Sequence, residues 1–307
     1  MKIKRLLFAA AVIFATGMGA ALWAVEDPFL NANDLVKSGK YEEAIKLLIH
    51  VKQLYPDSDW YPKCIIMTAR IYEKMKKYND ALAEYKSLID KFPKNPLTEE
   101  AYFSSAGIRS FLNQQDSAVK AYDLYIKNYP DGKYCVIALF DTAAIYRESG
   151  QEDEALKYLG KILSYYPDDK WFYSWASIYT GDILVKRKDY DRAIEAYQRV
   201  IKSPDNSTLY SLSLLHRAQA MMEKNDFISA KAAFKEILKM NNGFQEEALY
   251  GMGKAHYKLG EYDMAKEIYI SLLDLFPDTV WRKNVEKGLK IIGGKLDKQR
   301  SEAGDDL

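Results

Sequence analysis

Few residues in this chain are of the types that commonly carry out chemistry, and their spacing keeps them apart. The three histidines, His50, His216 and His256, fall in different segments, whereas a zinc site needs convergent ligands such as His-x-x-x-His on one helix face. No G-x-S-x-G nucleophile motif or phosphate-binding loop is present, and the G-x-G of Gly251 and Gly253 lies inside a helical pattern. The sequence therefore predicts a protein with no catalytic residues, no metal site and no cofactor.

The composition is that of a folded soluble protein. The chain has 307 residues, of which 48% are apolar and 28% charged, with 44 Lys+Arg against 43 Asp+Glu. These values exclude a mostly disordered, collagen-like or multi-span membrane chain. The near-zero net charge argues against a nucleic-acid-binding protein, which usually has a strongly basic balance.

The N-terminus has the three-part layout of a secretory signal peptide. A positive segment, residues 2–5, precedes an apolar stretch, residues 6–15, and Ala21 and Ala24 each offer a cleavage point. The alternative is an uncleaved anchor, because residues 6–25 carry no charge and are just long enough to span a bilayer. In both cases we expect the rest of the chain to be exported, so that the protein is periplasmic or secreted. No cysteine near this region offers a bacterial lipid-attachment site.

A helix–turn–helix unit repeats seven times along the chain. Seven hexapeptides align on a final alanine at spacings of 35 to 38 residues, and in six units a proline follows 11 or 12 residues later. The apolar pattern between the alanine and the proline is helical, and the proline stops that helix. The alanines are Ala44, Ala81, Ala118, Ala155, Ala193, Ala230 and Ala265. We expect each alanine to lie where the two helices of a unit approach most closely.

A second helix precedes each hexapeptide and ends at an equivalent position in every unit. Five of these seven positions hold Gly or Asn, the residues that tolerate the left-handed conformation closing a helix. The seven are Gly39, Lys76, Asn113, Gly150, Lys188, Asn225 and Gly260. Cys64 and Cys135 lie in different units, too far apart to pair, and we expect both to be buried as small apolar side chains.

This pattern resembles the tetratricopeptide repeat (TPR) family. The clearest unit runs from Leu249 to Ala265, with Gly253 at the small position of its first helix, Gly260 closing that helix and Tyr262 in the turn. The resemblance implies an all-α, right-handed superhelical solenoid of seven helix–turn–helix repeats plus a C-terminal capping helix. We expect a signal peptide or anchor at 1–24, repeats at 25–279, the capping helix at 280–294, ended by two glycines, and a disordered tail at 295–307.

The period of the repeat resembles that of exported bacterial proteins. The commonest period in the family is 34 residues, whereas most units here are 37 residues long, with the extra residues after the proline. Such linkers are similar to those of envelope TPR proteins such as the lipoprotein of the β-barrel assembly machinery and the coordinator of the Tol–Pal system. The chain lacks the lipidated cysteine of the first and the N-terminal coiled coil of the second, so only the class carries over.

The resemblance also implies a binding groove. In TPR proteins the first helices line a concave face that holds a partner's peptide or helix. The equivalent positions here are Arg70, Phe103, Phe140, Arg147, Trp175, Ile178, Asp182, Met222, Tyr250, Lys254 and Tyr257. The alternative for the apolar members is burial in the core, and for the three basic ones a solvated charge.

Three functional hypotheses follow. The first is an exported scaffold for protein–protein interactions in the assembly or maintenance of the bacterial cell envelope. The second is a module that binds peptidoglycan or another polysaccharide through an aromatic groove. The third is a subunit that positions a separate catalytic chain. None of them involves nucleic acid, and each involves a membrane only through an uncleaved N-terminal anchor.

Overall fold

The structure, a computed structural model, describes residues 27–202, 207–240 and 243–304. The predicted signal peptide or anchor lies outside these residues. Within them the chain forms fifteen helices and no strand, so the predicted all-α class is confirmed. By their internal contacts the residues fall into two compact parts, divided between Ala138 and Leu139. Each part holds several repeats, and we call them the first unit and the second unit from here on.

The helices follow one another in pairs joined by tight turns. In the first unit these are α1 (Pro28–Lys37) and α2 (Tyr41–Leu54), α3 (Trp60–Lys74) and α4 (Tyr78–Lys91), and α5 (Leu97–Phe111) and α6 (Gln115–Asn128). Helix α7 (Cys135–Glu148) crosses the division and precedes α8 (Glu152–Tyr165). The second unit continues with α9 (Lys170–Lys186) and α10 (Tyr190–Lys202), α11 (Ser207–Glu223) and α12 (Phe227–Leu238), α13 (Gln245–Lys258) and α14 (Tyr262–Leu275), and ends with α15 (Arg282–Gly304).

Every predicted turn position has the left-handed conformation. Positive φ angles occur at all seven, from 58° at Lys76 to 77° at Gly260. In each turn a backbone N–H closes onto a carbonyl five residues earlier, as from Lys77 to Tyr72 at 2.8 Å, which satisfies a carbonyl that the helix end leaves free. The prediction is therefore confirmed, including at Lys76 and Lys188, where a side chain makes this conformation less favourable than it is for glycine.

The repeated alanines lie in the core. All seven have no exposed surface, which is what a close approach of two helices requires. The first helix of each repeat also has one position that holds alanine or glycine, again because the two helices approach closely there. The close approach is clearest where this residue is glycine. A Cβ atom on Gly181 would lie 2.5 Å from the Tyr197 ring, and one on Gly253 would lie 2.3 Å from the Tyr269 ring. The second helix of the repeat therefore places an aromatic ring directly against the backbone of the first.

The predicted end of the capping helix is wrong. Helix α15 does not stop at Gly293 and Gly294 but continues to Gly304. Ile292 and Leu296 are both buried in the apolar cluster beneath it, and this packing outweighs the roughly 1 kcal/mol that each glycine costs within a helix. The predicted disordered tail is helical as far as residue 304, and residues 305–307 lie outside the described part.

The two cysteines, Cys64 and Cys135, are unpaired and buried, as expected for small apolar side chains.

No helix among the described residues is both long enough and apolar enough to span a bilayer.

Candidate functional site

In the first unit, the predicted groove residue Arg70 already has a partner within the chain. Its Nε and Nη2 atoms donate to the two carboxylate oxygens of Glu100 at 2.6 and 2.5 Å. This pairing raises the pKa of the Arg70 guanidinium above its ordinary value. A two-bond guanidinium–carboxylate contact satisfies the fork of the arginine, so Arg70 joins α3 to α5 and is not a free cation for a ligand.

Phe103, the other groove residue predicted in the first unit, lies in a stack of rings. Its ring is parallel to that of Tyr134, at 4.5 Å between centroids and 11° between planes. Tyr125 contacts both rings and donates its hydroxyl to Glu99 at 2.9 Å. Because these contacts join α5, α6 and the residue that precedes α7, Phe103 contributes to the packing of the repeats.

The second unit brings five aromatic side chains together, and we call them the aromatic cluster. Phe140 of α7 stacks on Tyr179 of α9 at 5.5 Å, and Trp175 contacts Tyr179 at 5.3 Å. Trp171 and Phe172, at the start of α9, contact Phe140 at 5.7 and 5.4 Å. All five rings keep some exposure to solvent, and Trp171 is 50% exposed. Aromatic side chains that are partly exposed and already ordered are typical of binding surfaces.

Arg147 extends the aromatic cluster with a positive charge. Its guanidinium lies 3.6 Å from the centroid of the Tyr179 ring, close enough for a cation–π contact. Arg147 lies seven residues after Phe140, two turns along the same face of α7, so both side chains reach Tyr179. Unlike Arg70, Arg147 makes no ion pair within the described ranges.

The first helices of the last three repeats line a cavity of about 590 Å³, which we call the cleft. Helix α9 contributes Asp182, α11 contributes Met222, and α13 contributes Tyr250 and Lys254. Four of the eleven predicted groove residues therefore meet at one site. Other lining residues, not predicted as groove positions, are His216, Gln219, Glu223, Glu247 and Trp281.

A hydrogen-bonded group forms part of the cleft wall. Asp182 accepts a hydrogen bond from the Tyr197 hydroxyl at 2.8 Å, and the same oxygen is 2.9 Å from Nδ1 of His216. Burial, together with the Asp182 carboxylate, raises the pKa of Tyr197 above its ordinary value. The contact of His216 with Asp182 joins α9 to α11, and the sequence offered no sign of it.

Tyr250 lines both the cleft and a second, smaller cavity. Its ring stacks on Trp281 at 4.4 Å and 10° between planes, and Lys254 Nζ lies 5.8 Å from the centre of the same ring. Tyr250 also lines a cavity of about 310 Å³ together with Tyr257 and, on α15, Lys287. The predicted residue Tyr257 therefore belongs to this second cavity and not to the cleft.

Ile178 is not a surface residue of this site, and its prediction as one is wrong. Its side chain is only 1% exposed and packs in the core with Ala193 and Tyr197. Successive residues of a helix point about 100° apart, so a register error of one residue is enough to exchange Ile178 for Tyr179. Burial in the core, the alternative given for the apolar groove positions, therefore holds for Ile178.

The titratable residues in this part of the chain do not form a metal site. Within residues 27–202, 207–240 and 243–304, no group of three or more His, Cys, Asp or Glu side chains has the arrangement to hold a metal ion. The cleft and the aromatic cluster offer rings, hydrogen-bonding groups and mixed charges. Such an arrangement suits recognition of another molecule.

Comparison with protein families finds two kinds of match. Residues 25–177 match the family model described as outer membrane lipoprotein (YfiO). Residues 176–206 and 221–283 match two tetratricopeptide repeat models. Among curated proteins, no sequence matches the chain significantly.

Several solved structures have a similar fold. The C-terminal part of a TPR repeat-containing protein from Cytophaga hutchinsonii is 18% identical, with 85% of this chain and 99% of that chain covered and a TM-score of 0.64. The apo form of RapI is 14% identical, with 87% and 80% covered and a TM-score of 0.60. YrrB, described as a TPR protein with an unusual peptide-binding site, is 16% identical, with 66% and 97% covered and a TM-score of 0.52. At these identities the likeness is one of fold.

Proposed function

We propose that this chain, which belongs to the tetratricopeptide repeat family, is an exported scaffold of the bacterial cell envelope. It holds a segment of a protein partner against the cleft and the aromatic cluster of its second unit. It turns over no substrate and works by presenting a surface that is already formed.

The cleft carries this proposal. Three consecutive repeats place side chains of their first helices around one cavity of about 590 Å³, a volume within the range of ligand pockets in proteins. Trp, Tyr and Arg, the residue types that dominate binding energies at interfaces, are all present in the cleft or in the cluster. The rings are held by one another, so little side-chain entropy is lost when a partner binds.

The envelope location is supported by two independent features. The first is the match of residues 25–177 to an outer membrane lipoprotein family. The second is the signal-like pattern of residues 1–24. The likeness to YrrB, a TPR protein with a peptide-binding site, is in keeping with a peptide segment as the ligand.

A peptide segment suits the aromatic cluster better than a glycan does. Stacking on sugar rings favours flat, parallel platforms, but the rings along α9 are tilted. The planes of Trp171 and Trp175 differ by 60°, and those of Trp175 and Tyr179 by 43°. Tilted rings enclose apolar side chains of varied shape, as the recognition grooves for peptides do.

Affinity capture from the native envelope tests the proposal. The bait is the full chain, beside a variant with Trp171→Ala and Met222→Ala, one change in the cluster and one in the cleft. A matched control carries Tyr165→Ala and Ile228→Ala, two exposed apolar residues on second helices. We expect a protein partner that the control retains and the groove variant loses.

Two outcomes would overturn the proposal. Equal retention of the partner by both variants would place the interface outside the first helices. Capture of peptidoglycan sacculi in place of any protein, resistant to raised salt, would favour the glycan-binding hypothesis.

A further inference from the structure

Helix α15 has a charge balance unlike that of the rest of the chain. Between Arg282 and Gly304 there are seven basic and three acidic residues, although the whole sequence is almost neutral. Two of the basic residues pair with acids one turn away, Arg282 with Glu286 and Lys298 with Glu302. The excess of positive charge is therefore concentrated on this last helix and is only partly compensated within it.

Three of the five basic residues of α15 without an ion pair lie on one face. Lys283, Lys287 and Lys290 are spaced four and three residues apart, so they form a single stripe along α15. Val285 and Ile292, two residues after the first and last of these lysines, are fully buried on the body of the second unit. Two residues correspond to about 200° around a helix, so the lysine stripe is on the side of α15 opposite the core. All three lysines are exposed.

The acidic residues nearest this stripe do not pair with it, since Glu286 pairs with Arg282 and Asp297 lies two turns after Lys290. None of Lys283, Lys287 and Lys290 forms an ion pair in the described part of the chain. Like charges one turn apart on a helix repel one another and destabilise it, so the arrangement favours an external anion. Ile291, one turn after Lys287, borders the stripe and is 43% exposed.

We propose that this lysine face docks on the surface of an anionic phospholipid bilayer. The three lysines extend over about 10 Å of a straight helix and present their charges in one direction, which fits an extended planar surface. Each lysine near an anionic membrane surface contributes about the same favourable increment, and Ile291 is placed to enter the headgroup region beside them. This contact is separate from the cleft and from any N-terminal anchor.

Energy transfer from α15 to labelled lipid tests the docking. Ser301 lies on the lysine side of α15 and is exposed, so a donor dye on Ser301→Cys reports on this face, and the native Cys64 and Cys135 are buried. The full chain is mixed with vesicles of phosphatidylcholine that carry an acceptor headgroup, with and without phosphatidylglycerol. We expect strong transfer only with phosphatidylglycerol, and its loss at raised salt, because the attraction is electrostatic.

Two matched triple variants separate this face from general charge. Replacing Lys283, Lys287 and Lys290 by Gln is expected to weaken the phosphatidylglycerol-dependent transfer by roughly 100-fold in lipid concentration. The control replaces Lys46, Lys120 and Lys235 by Gln, and these are exposed lysines of three second helices. It removes the same charge and should leave the phosphatidylglycerol-dependent transfer unchanged. The N-terminal segment is present in both variants, so it contributes equally.

Three results would overturn the proposal. One is equal transfer with neutral and anionic vesicles, and another is an equal effect of the two triple variants. The third is binding of soluble polyglutamate with no response to the anionic vesicles, which would assign the face to an acidic protein.

Discussion

The guanidinium of Arg147 lies against the ring of Tyr179, 3.6 Å from its centroid, and has no carboxylate partner in the ranges that the structure describes. Arg70, a basic groove residue predicted in the first unit, is held instead by two hydrogen bonds to Glu100. The two arginines therefore differ in whether their guanidinium groups are available to a binding partner. Arg70 is committed to packing between repeats, whereas Arg147 presents a charge supported by an aromatic ring.

This difference predicts unequal effects of mutation on partner binding. We expect Arg147→Gln to weaken partner capture by roughly tenfold, since a cation–π-supported arginine at an interface contributes on the order of 1 to 2 kcal/mol. Arg147→Lys should recover part of this, because it keeps the charge but loses the planar stacking. Titration of the captured partner against each variant measures the effect. An equal loss with Arg70→Gln in a protein that remains folded would contradict it.

The turn at Lys188 predicts a stabilising mutation. Lys188 has φ = 62°, a conformation that costs a residue with a side chain about 1 kcal/mol relative to glycine. Lys188→Gly should therefore raise the free energy of unfolding by up to about that amount, as measured by urea denaturation. Gly150→Ala, at φ = 74° in an equivalent turn, should lower it by a similar amount. The same sign for both changes would show that backbone conformation does not control these turns.

Two glycines within helices predict opposite effects of the same substitution. A Cβ atom on Gly253 would lie 2.3 Å from the Tyr269 ring, whereas one on Gly160 would have no neighbour within 4 Å. Gly253→Ala should lower the free energy of unfolding by about 1 to 3 kcal/mol through overpacking. Gly160→Ala should raise it by about 0.5 to 1 kcal/mol, because alanine favours the helix. Denaturation curves that move in the same direction would show that the assigned approach of α13 and α14 is wrong.

The buried thiol of Cys64 predicts a dependence on alkaline pH. Burial raises its pKa to about 11, above the ordinary value of a thiol. The native state therefore keeps the proton where the unfolded state loses it, so stability falls as pH rises from about 9 towards 11. We expect the fall to be smaller in Cys64→Ala than in the parent chain. Alkylation at pH 9 should modify Cys64 only after denaturation, and rapid reaction in the native protein would contradict its burial.

The features that sequence could predict are those set by neighbouring residues. The left-handed turns and the buried alanines depend on a few positions within each repeat, and the structure has them at all seven places. The contacts of the site are different, because they join residues far apart in the chain. Asp182 and His216 meet between the first helices of two neighbouring repeats, and the repeat period does not specify which of the facing side chains touch.

The errors have equally local causes. The sequence predicts Ile178 in place of Tyr179 because the apolar pattern of α9 does not distinguish the side that points to the core from the side next to it. The sequence predicts too short a helix α15 because two adjacent glycines are a strong stop signal, and the packing of Leu296 that outweighs them is visible only in the structure. Both outcomes depend on tertiary contacts, which outweigh the intrinsic preference of the residues.

Site-specific photocrosslinking in the native envelope tests the central claim most directly. A photoreactive residue is placed at Trp171 in the aromatic cluster or at Met222 in the cleft, with Tyr165, an exposed residue at the end of a second helix, as the control. The account predicts that Trp171 and Met222 crosslink to the same protein and that Tyr165 does not. A partner that crosslinks at Tyr165 and at neither of the other two positions would contradict it.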